Sequence, residues 1–526
     1  MSDGVPDPAA GVVDAFYLPP WLAVGVETMV QRFGPPHDAM EYRLPDVTPA
    51  GITRWIDGLR RARAERLLPR SSGSILHSLE RVADRFLDPR DATRQFAVET
   101  LVRSGRFTAP MVERSLDEAF DPLTRGGLKR WVDSELGSSS ALDRPTPGPD
   151  GVGRQAHGPE WMFQVYAGNV PTVPVWPLVS ALILKSALLA KTSSQEPLLA
   201  PLLARAIAEE DEDLGSCLAV VWWKGGSGDL DRAALADARA VLAFGGEAAT
   251  ASLARQARPD ARLVLHGPKV SIGYIGRHAL ARAALPKLAE RAALDVALYD
   301  QRGCLSPHAY YVERGGATAP VDFAVALGRA LDAASTSLPR RRPTESEAAS
   351  VQMARAQALF EAAAGAGVPG GAGAVTGAPA LIAPALIAPA RTTEWTVLTE
   401  NGARFEPGPT HRVVRVHSIE GPEEFEGAIA PEARYVEAIA LEEGGPRRAI
   451  LAARFAALGI PRVAPLGGLQ RPSPLATHGG VRRLLPFVTW TTIEGTRVKR
   501  PRSRGPASRS SGGGSRRGAP ARRRSR

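Results

Sequence analysis

From Trp161 onward the chain alternates short, continuous apolar runs with amphipathic stretches. FQVYAG (163–168), ALLAKT (187–192), CLAVVWW (217–223), AVLAFG (240–245) and ARLVLH (261–266) are brief apolar runs bounded by turn residues, the pattern of strands buried on both faces. Residues 178–184 and PLLAPLLARAIAEE (197–210) fit helical spacing instead. This alternation predicts a doubly wound, mostly parallel α/β sheet. VSIGYIG (270–276) and HAYYVE (308–313) continue the strands, and EWTVLTE, HRVVRVHSI and YVEAIALE predict a second α/β domain. Upstream, IDGLRRARAERLLPR and ILHSLERVADRFL read as amphipathic helices, and the polar, Pro/Gly-rich stretch 138–159 reads as a separator. The expected organisation is a helical N-terminal region (1–160), a first α/β domain (161–267) and a second (268–440). An Ala/Gly/Pro loop insertion at 362–390 interrupts the second domain, and a segment 441–496 completes the fold.

Composition alters this picture only at the C-terminus. With 44% hydrophobic and 23% charged residues, the 526-residue chain has ample material for packed cores. Twelve of its basic residues lie in 497–526 with no acidic one, so the net charge of +10 becomes −2 for the rest. That segment, Arg/Ser/Gly/Pro without a hydrophobic pattern, is expected to be disordered and able to bind polyanions, while the near-neutral body does not read as a nucleic-acid binder. Two cysteines cannot make a disulfide framework, and nine scattered histidines without HExxH predict no metal site. The first twenty residues lack the basic start and apolar core of a secretory signal. The most apolar stretch, 173–184, falls short of the ~20 residues a bilayer span needs. A cytoplasmic protein without integral membrane contact is expected. Gly365-Ala-Gly367-Val-Pro-Gly370 matches G-x-G-x-x-G in form only, since it follows an Ala-rich helical run and carries Pro369 where a helix should begin.

The candidate chemistry sits in three segments: AGNVPTVPVWPLVSALILKSALLAKTSSQEP (167–197), VLHGPKVSIG (264–273) and DQRGCLSPHAYYVE (300–313). Cys304 stands between Gly303 and a Leu-Ser-Pro turn on a loop entering a strand, where backbone N–H groups would lower a thiol's pKa and favour nucleophilic catalysis. Cys217 opens an apolar strand and reads as core. Asn169 follows a strand, where open α/β sheets present their sites, although an Asn before Val-Pro also suits a plain turn. Lys191 ends the next strand, and lysine is sparing here, at seven residues.

Taken together, GNVP, the KTSS run and DQRGCLSP, with LGGLQRPSPLATHGG and FVTW further on, resemble the aldehyde dehydrogenase superfamily. Within it the segments are most similar to the acyl-CoA reductase branch typified by the fatty-acid reductase of bacterial bioluminescence (LuxC-type). The resemblance runs from about residue 161 to 494. It implies a Rossmann-type cofactor domain joined to a catalytic α/β domain, and reduction of a fatty acyl thioester to aldehyde through S-acyl-Cys304. Asn169 would donate to the oxyanion beside the Cys304 N–H. Lys191, Thr192, Ser193 and Ser194 would hold the adenosine ribose. Ser194 stands where the family's KPSE pattern has Glu, so a 2′-phosphate would not be repelled and NADP(H) is favoured over NAD. Gly245 and Gly246 match the backbone that approaches the dinucleotide, though they equally suit a strand-to-helix turn. Glu406 would correspond to the glutamate on the nicotinamide ribose. His478 occupies the family's His-Asp-Gly position with Gly479 in place of Asp, and Leu265 replaces the carboxylate base that acid-forming relatives carry; His266 could substitute, though alternation would point its side chain to the opposite face of the sheet. The donor would be an acyl-CoA or acyl-carrier thioester, with an acyl-protein synthetase as a possible partner and a homo-oligomer expected. Rival readings are an acylating semialdehyde dehydrogenase, a glutamyl-phosphate-type reductase, or a non-enzymatic scaffold with a polyanion-binding tail.

Overall fold

The computed structural model describes residues 11–34, 39–148, 151–363, 380–383 and 385–497. Its first large sheet is built from β1 (Trp161–Val165), β2 (Ala187–Lys191), β3 (Leu218–Val221), β4 (Ala240–Phe244) and β5 (Arg262–His266). All neighbours pair in parallel, in the order β5-β4-β1-β2-β3. The five apolar runs thus form one sheet, and β1 to β4 are almost wholly buried, as continuous apolar strands require. The chain starts at the centre, winds outward to β3, then returns to β4 on the other side of β1. Strand order therefore reverses between β1 and β4, and their carboxyl ends open a crevice there, the usual ligand position in such sheets.

The second sheet contains β6 (Val270–Ile275), β7 (Pro307–Glu313), β8 (Ala380–Ala383), β9 (Leu386–Pro389), β10 (Thr396–Glu400), β11 (Val413–Ile419), β12 (Val436–Glu442) and β13 (Val463–Ala464). Their order is β8-β9-β10-β11-β7-β6-β12-β13, parallel except for the hairpin β8–β9 and its junction with β10. Two register shifts interrupt the centre of this sheet. Val270 pairs with Val436 but Ser271 with Ala438, which leaves Glu437 as an extra residue in β12. Ser271 pairs with Pro307 but Ile272 with Ala309, which does the same to His308 in β7. Both bulges lie at the strand ends nearest the first sheet.

Several expectations are corrected. The stretch 138–159 is not a mere separator: Val152–His157 pairs antiparallel with Thr489–Arg497, tying the last described strand to the N-terminal half. The N-terminal region is not purely helical, because Val12–Asp14, Met40–Pro45 and Thr28–Phe33 form a small sheet in that order. The tract 362–390 is only partly a loop. Its ALIAP repeats form the hairpin β8–β9, and Leu386, Ile387 and Ala388 are buried. Residues 364–379, including the formal G-x-G-x-x-G, and residue 384 lie outside the described residues. A boundary at 440 would cut β12 in two. Lys185, which reads as a snorkelling lysine, is buried and pairs with Asp143 at 2.7 Å. Cys217 is fully buried in the core, as its apolar strand requires. The basic segment after Arg497 lies outside the described residues. Among the described residues no helix is long and apolar enough to cross a membrane.

Candidate active site

A cavity of about 520 Å³ lies between the two large sheets. From the first sheet come the carboxyl ends of β1, β4 and β5, with Asn169, Gly245, Gly246 and His266. The second sheet supplies the loop before β7, with Cys304, and the start of β12, with Glu437. Trp176, Val173, Leu305 and Phe487 give the cavity a largely apolar wall.

The loop that carries the thiol is strained and held from behind. Tyr299, Asp300 and Gln301 have φ of 58°, 50° and 65°, left-handed values that non-glycine side chains disfavour. Thr410, His411 and Arg412 form a second such run, at 66°, 58° and 60°. The two runs lock together. The His411 N–H donates to the Asp300 carbonyl at 3.0 Å, and the Arg412 guanidinium reaches Asp300 Oδ1 at 2.8 Å and the Leu338 carbonyl at 2.8 Å. Gln301 Nε2 donates to the Pro307 carbonyl at 2.8 Å. Asp300 and Gln301 therefore hold the loop and do not face the cavity. From beyond β13, Gln470 donates to Ser306 Oγ at 2.9 Å, and Asp295 accepts the Gly467 and Leu469 N–H groups.

Cys304 is partly exposed at the cavity wall. Burial and the nearby negative charge of Glu437 push its thiol up to about 12, against the smaller lowering effect of the Cys304 and Leu305 N–H groups. The expected activation by backbone N–H groups is thus outweighed, and the resting group is the thiol. Asn169 Nδ2 donates one hydrogen to the Arg302 carbonyl at 2.8 Å, which fixes the amide two residues from Cys304. A primary amide has a second N–H to offer.

The glycines after β4 are open toward the site: a Cβ on Gly246 would meet nothing within 4 Å, and one on Gly245 would meet only Ala249 and Thr250, at 3.4 and 4.0 Å. Packing therefore does not demand glycine here, whereas close approach of a ligand would. Lys191 ends β2 outside this cavity, its ammonium 5.5 Å over the Trp223 ring, and burial lowers its pKa against the charge of Asp231. Thr192 is buried, Ser193 Oγ accepts the Gln195 N–H at 3.1 Å, and Ser194 is exposed. Glu406 does not reach the cavity. Its carboxylate faces Arg415 and Arg404, each at 3.7 Å.

The position of Leu265 is a further correction. Alternation along β5 sends Leu265 into the apolar packing beneath the sheet, and it is His266 that lines the cavity. His266 stacks on Phe244, with ring centroids 4.8 Å apart, and on His478, at 4.2 Å, and Phe244 and His478 also meet, at 5.4 Å. Burial lowers His266 to about 4 and His478 well below its usual value, so both rings are neutral at pH 7. Gly479 has φ 58°, and a Cβ there would lie 3.2 Å from His266 Nδ1, so an Asp at this position would crowd the stack.

Sequence reasoning missed Glu437 and Arg462 as cavity residues and expected His266 on the opposite face of its strand. The signal for Glu437 was visible in YVEAIALE, a carboxylate inside a run that otherwise reads as a fully buried strand.

The protein-family model described as acyl-CoA reductase (LuxC) matches residues 69–490. The long-chain acyl-protein thioester reductase of Photorhabdus luminescens is 28% identical over 292 residues, which is 55% of this chain and 59% of that protein. The enzyme of the same description from Aliivibrio fischeri is 28% identical over 246 residues, 45% of this chain and 48% of that one. The chain thus spans about half the length of the curated relatives it matches. Among solved structures, the lactaldehyde dehydrogenase from Escherichia coli has a TM-score of 0.63 at 15% identity, over 92% of this chain and 99% of that one. An indole-3-acetaldehyde dehydrogenase in complex with NAD+ gives 0.62 at 15%, over 89% and 94%. At such identities the likeness is one of fold, the aldehyde-dehydrogenase-like arrangement of two α/β domains.

Proposed function

The chain belongs to the acyl-CoA reductase (LuxC) family, and on that premise we propose that it reduces a long-chain acyl thioester to the aldehyde with NADP(H), through an S-acyl intermediate on Cys304. The observation that carries this reading is the convergence of Cys304 and Asn169, from different domains, on one apolar cavity at the reversal of strand order. Attack of the Cys304 sulfur on the thioester carbonyl creates an oxyanion. The free N–H of Asn169 and the N–H of Cys304 are the donors offered to it, and such neutral, pre-oriented dipoles stabilise charge most where water is excluded. The apolar wall suits an alkyl chain. The printed description of the curated relatives, long-chain acyl-protein thioester reductase, supports the same substrate class and leaves acyl-CoA and acyl-protein donors both in view.

The carboxyl edge of the first sheet fits a nicotinamide dinucleotide by its own features: open glycine positions at Gly245 and Gly246 in the cavity and, beyond it at the end of β2, the Lys191 ammonium over Trp223, within reach of the charge of Asp231. Lys191 and Ser194 would hold the adenosine end, and the hydroxyl of Ser194 would tolerate a 2′-phosphate. When bound, the cofactor supplies the hydride that reduces the thioacyl carbon. The chain's residues then hold the thiohemiacetal oxygen until its C–S bond breaks and aldehyde leaves. Neutral His266 and His478 are poor bases at their lowered pKa values, so neither histidine assists hydrolysis of the acyl-enzyme to the acid.

The test is turnover of long-chain and short-chain acyl-CoA and acyl-carrier thioesters with NADPH or NADH, with trapping of aldehyde. Long-chain thioesters with NADPH should give the highest kcat/KM. Preference for short semialdehyde-forming donors would favour the acylating dehydrogenase reading instead, and absence of aldehyde from every thioester would overturn the proposal. Asn169→Ala should lower the rate of Cys304 acylation by roughly 10²–10³-fold, the usual loss on deleting one oxyanion donor. Rapid-quench mass measurement of the acyl-enzyme checks this, and a change below about fivefold would remove Asn169 from the oxyanion site.

A further inference from the structure

If Cys304 is the acyl acceptor, as the proposed function requires, its thiol proton needs a destination. A thiol held near 12 is almost entirely protonated at pH 7, so its attack needs a partner to receive that proton. Neither histidine of the cavity suits this task, since burial holds both neutral and weakly basic. Of the two carboxylates in the cavity wall, Glu118 also leaves its Oε2 without a partner, but its Oε1 is ion-paired to Arg114 at 2.9 Å, with Arg471 at 3.9 Å, and it is the charge of Glu437 that acts on Cys304.

Glu437 is placed differently. It is the extra residue of the bulge in β12, the device by which a strand redirects one side chain, and it lines the cavity that holds Cys304. The residue is 3% exposed. Its Oε1 accepts the Gly479 N–H at 2.7 Å, while Oε2 is buried with no hydrogen-bond partner. A buried carboxylate oxygen left unpaired is costly unless it has another use. Lys269, Arg462 and Arg483 bias the group toward its charged form, and burial opposes them and raises its pKa. Cys304, His266 and His478 complete its titratable surroundings. No carboxylate stands in the matching place on β5, where Leu265 packs away from the site.

We infer that Glu437 is the base that takes the Cys304 thiol proton during acylation and returns it to the departing thiol. As the sulfur–carbonyl carbon bond forms, the S–H proton passes to Glu437 Oε2. As the tetrahedral intermediate collapses, the bond to the donor sulfur breaks, and the carboxyl proton goes to that thiolate. The products are S-acyl-Cys304, free donor thiol and a regenerated carboxylate, with no net change in oxidation state. The base thus comes from the catalytic sheet, not from the strand that ends the cofactor sheet.

Glu437→Gln tests this with a sign that separates two roles. The amide keeps the shape and an oxygen acceptor for the Gly479 N–H, so the melting temperature should stay near that of the unaltered protein. Iodoacetamide alkylation of Cys304, followed by intact mass, needs no thioester and so is independent of the substrate assignment. If Glu437 is the base, alkylation at pH 7.5 slows by roughly 10²–10⁴-fold. Its rate should then climb tenfold per pH unit across pH 7–10 in the glutamine variant, where the unaltered protein has reached a plateau, and Glu437→Asp should restore part of that plateau. If Glu437 is only a negative neighbour, removing its charge lowers the thiol's pKa and alkylation becomes faster. Alkylation that is unchanged or faster in Glu437→Gln overturns the inference. Acylation by a long-chain acyl-CoA, followed in the same way, then reports separately on the thioester reading.

Discussion

Cys304→Ala is expected to lower aldehyde formation to background, a fall of roughly 10⁴-fold or more, since loss of a covalent nucleophile leaves only binding and oxyanion stabilisation. The variant should fold normally. The side chain is small and partly exposed, and the contacts that shape its loop come from Asp300, Gln301 and Gln470, not from the sulfur. Binding of NADPH, measured by fluorescence or calorimetry, should be retained, because the residues proposed to hold it, Lys191, Gly245 and Gly246, belong to the other sheet. Cys217 cannot substitute. It is fully buried, and burial together with neighbouring Asp213 pushes its thiol up to about 12 as well. Appreciable turnover in Cys304→Ala would remove the covalent mechanism.

Arg412→Ala should destabilise the protein by about 3–5 kcal/mol, the typical loss when one partner of a buried ion pair is deleted. Arg412 is fully buried and Asp300 is 2% exposed, so the abandoned carboxylate could not be rehydrated without opening the structure. The damage should also reach the chemistry. Asp300 sits in the middle of the left-handed run before Cys304, and such a run persists only while its surroundings hold it. Urea denaturation should show the lower midpoint, and at temperatures where the variant is still folded its kcat should fall more than its KM rises. A loss below about 1 kcal/mol would mean that the pair does not hold the loop.

The legible part of the fold was the part set by continuous apolar runs. Continuous apolar runs leave a plain signature, and FQVYAG, ALLAKT, AVLAFG and ARLVLH each became a parallel strand within three residues of the expected ends. What escaped was structure made by pairing across long separations. Val152–His157 looks like linker because a short strand rich in Gly, Arg and Gln has no apolar pattern of its own, and it needs Thr489–Arg497 beside it. The ALIAP repeats look like filler because Ala and Pro dilute the signal, yet Leu386 and Ile387, on opposite faces, bury β9 on both sides.

The site divides in the same way. Cys304 and Asn169 stand at strand ends beside turn residues, Gly245 and Gly246 were singled out by the family resemblance, and the structure brings all four to one cavity. Glu406 was assigned by position along the sequence alone, and its ion pair with Arg415 keeps it elsewhere. Leu265 and His266 were exchanged in role because one residue of phase decides which face of a strand a side chain uses. Glu437 was hidden by a bulge, which breaks the very alternation from which facing is inferred.

The covalent mechanism is tested most directly by capture and release of the acyl-enzyme. The purified protein is mixed with a long-chain acyl-CoA without cofactor, analysed by intact mass and peptide mapping, and then chased with NADPH in a single turnover. One acyl adduct is expected, on Cys304, which persists without NADPH and disappears on the chase with release of a stoichiometric amount of aldehyde. An adduct on another residue, or one that decays to free acid at the same rate with and without NADPH, would contradict the mechanism.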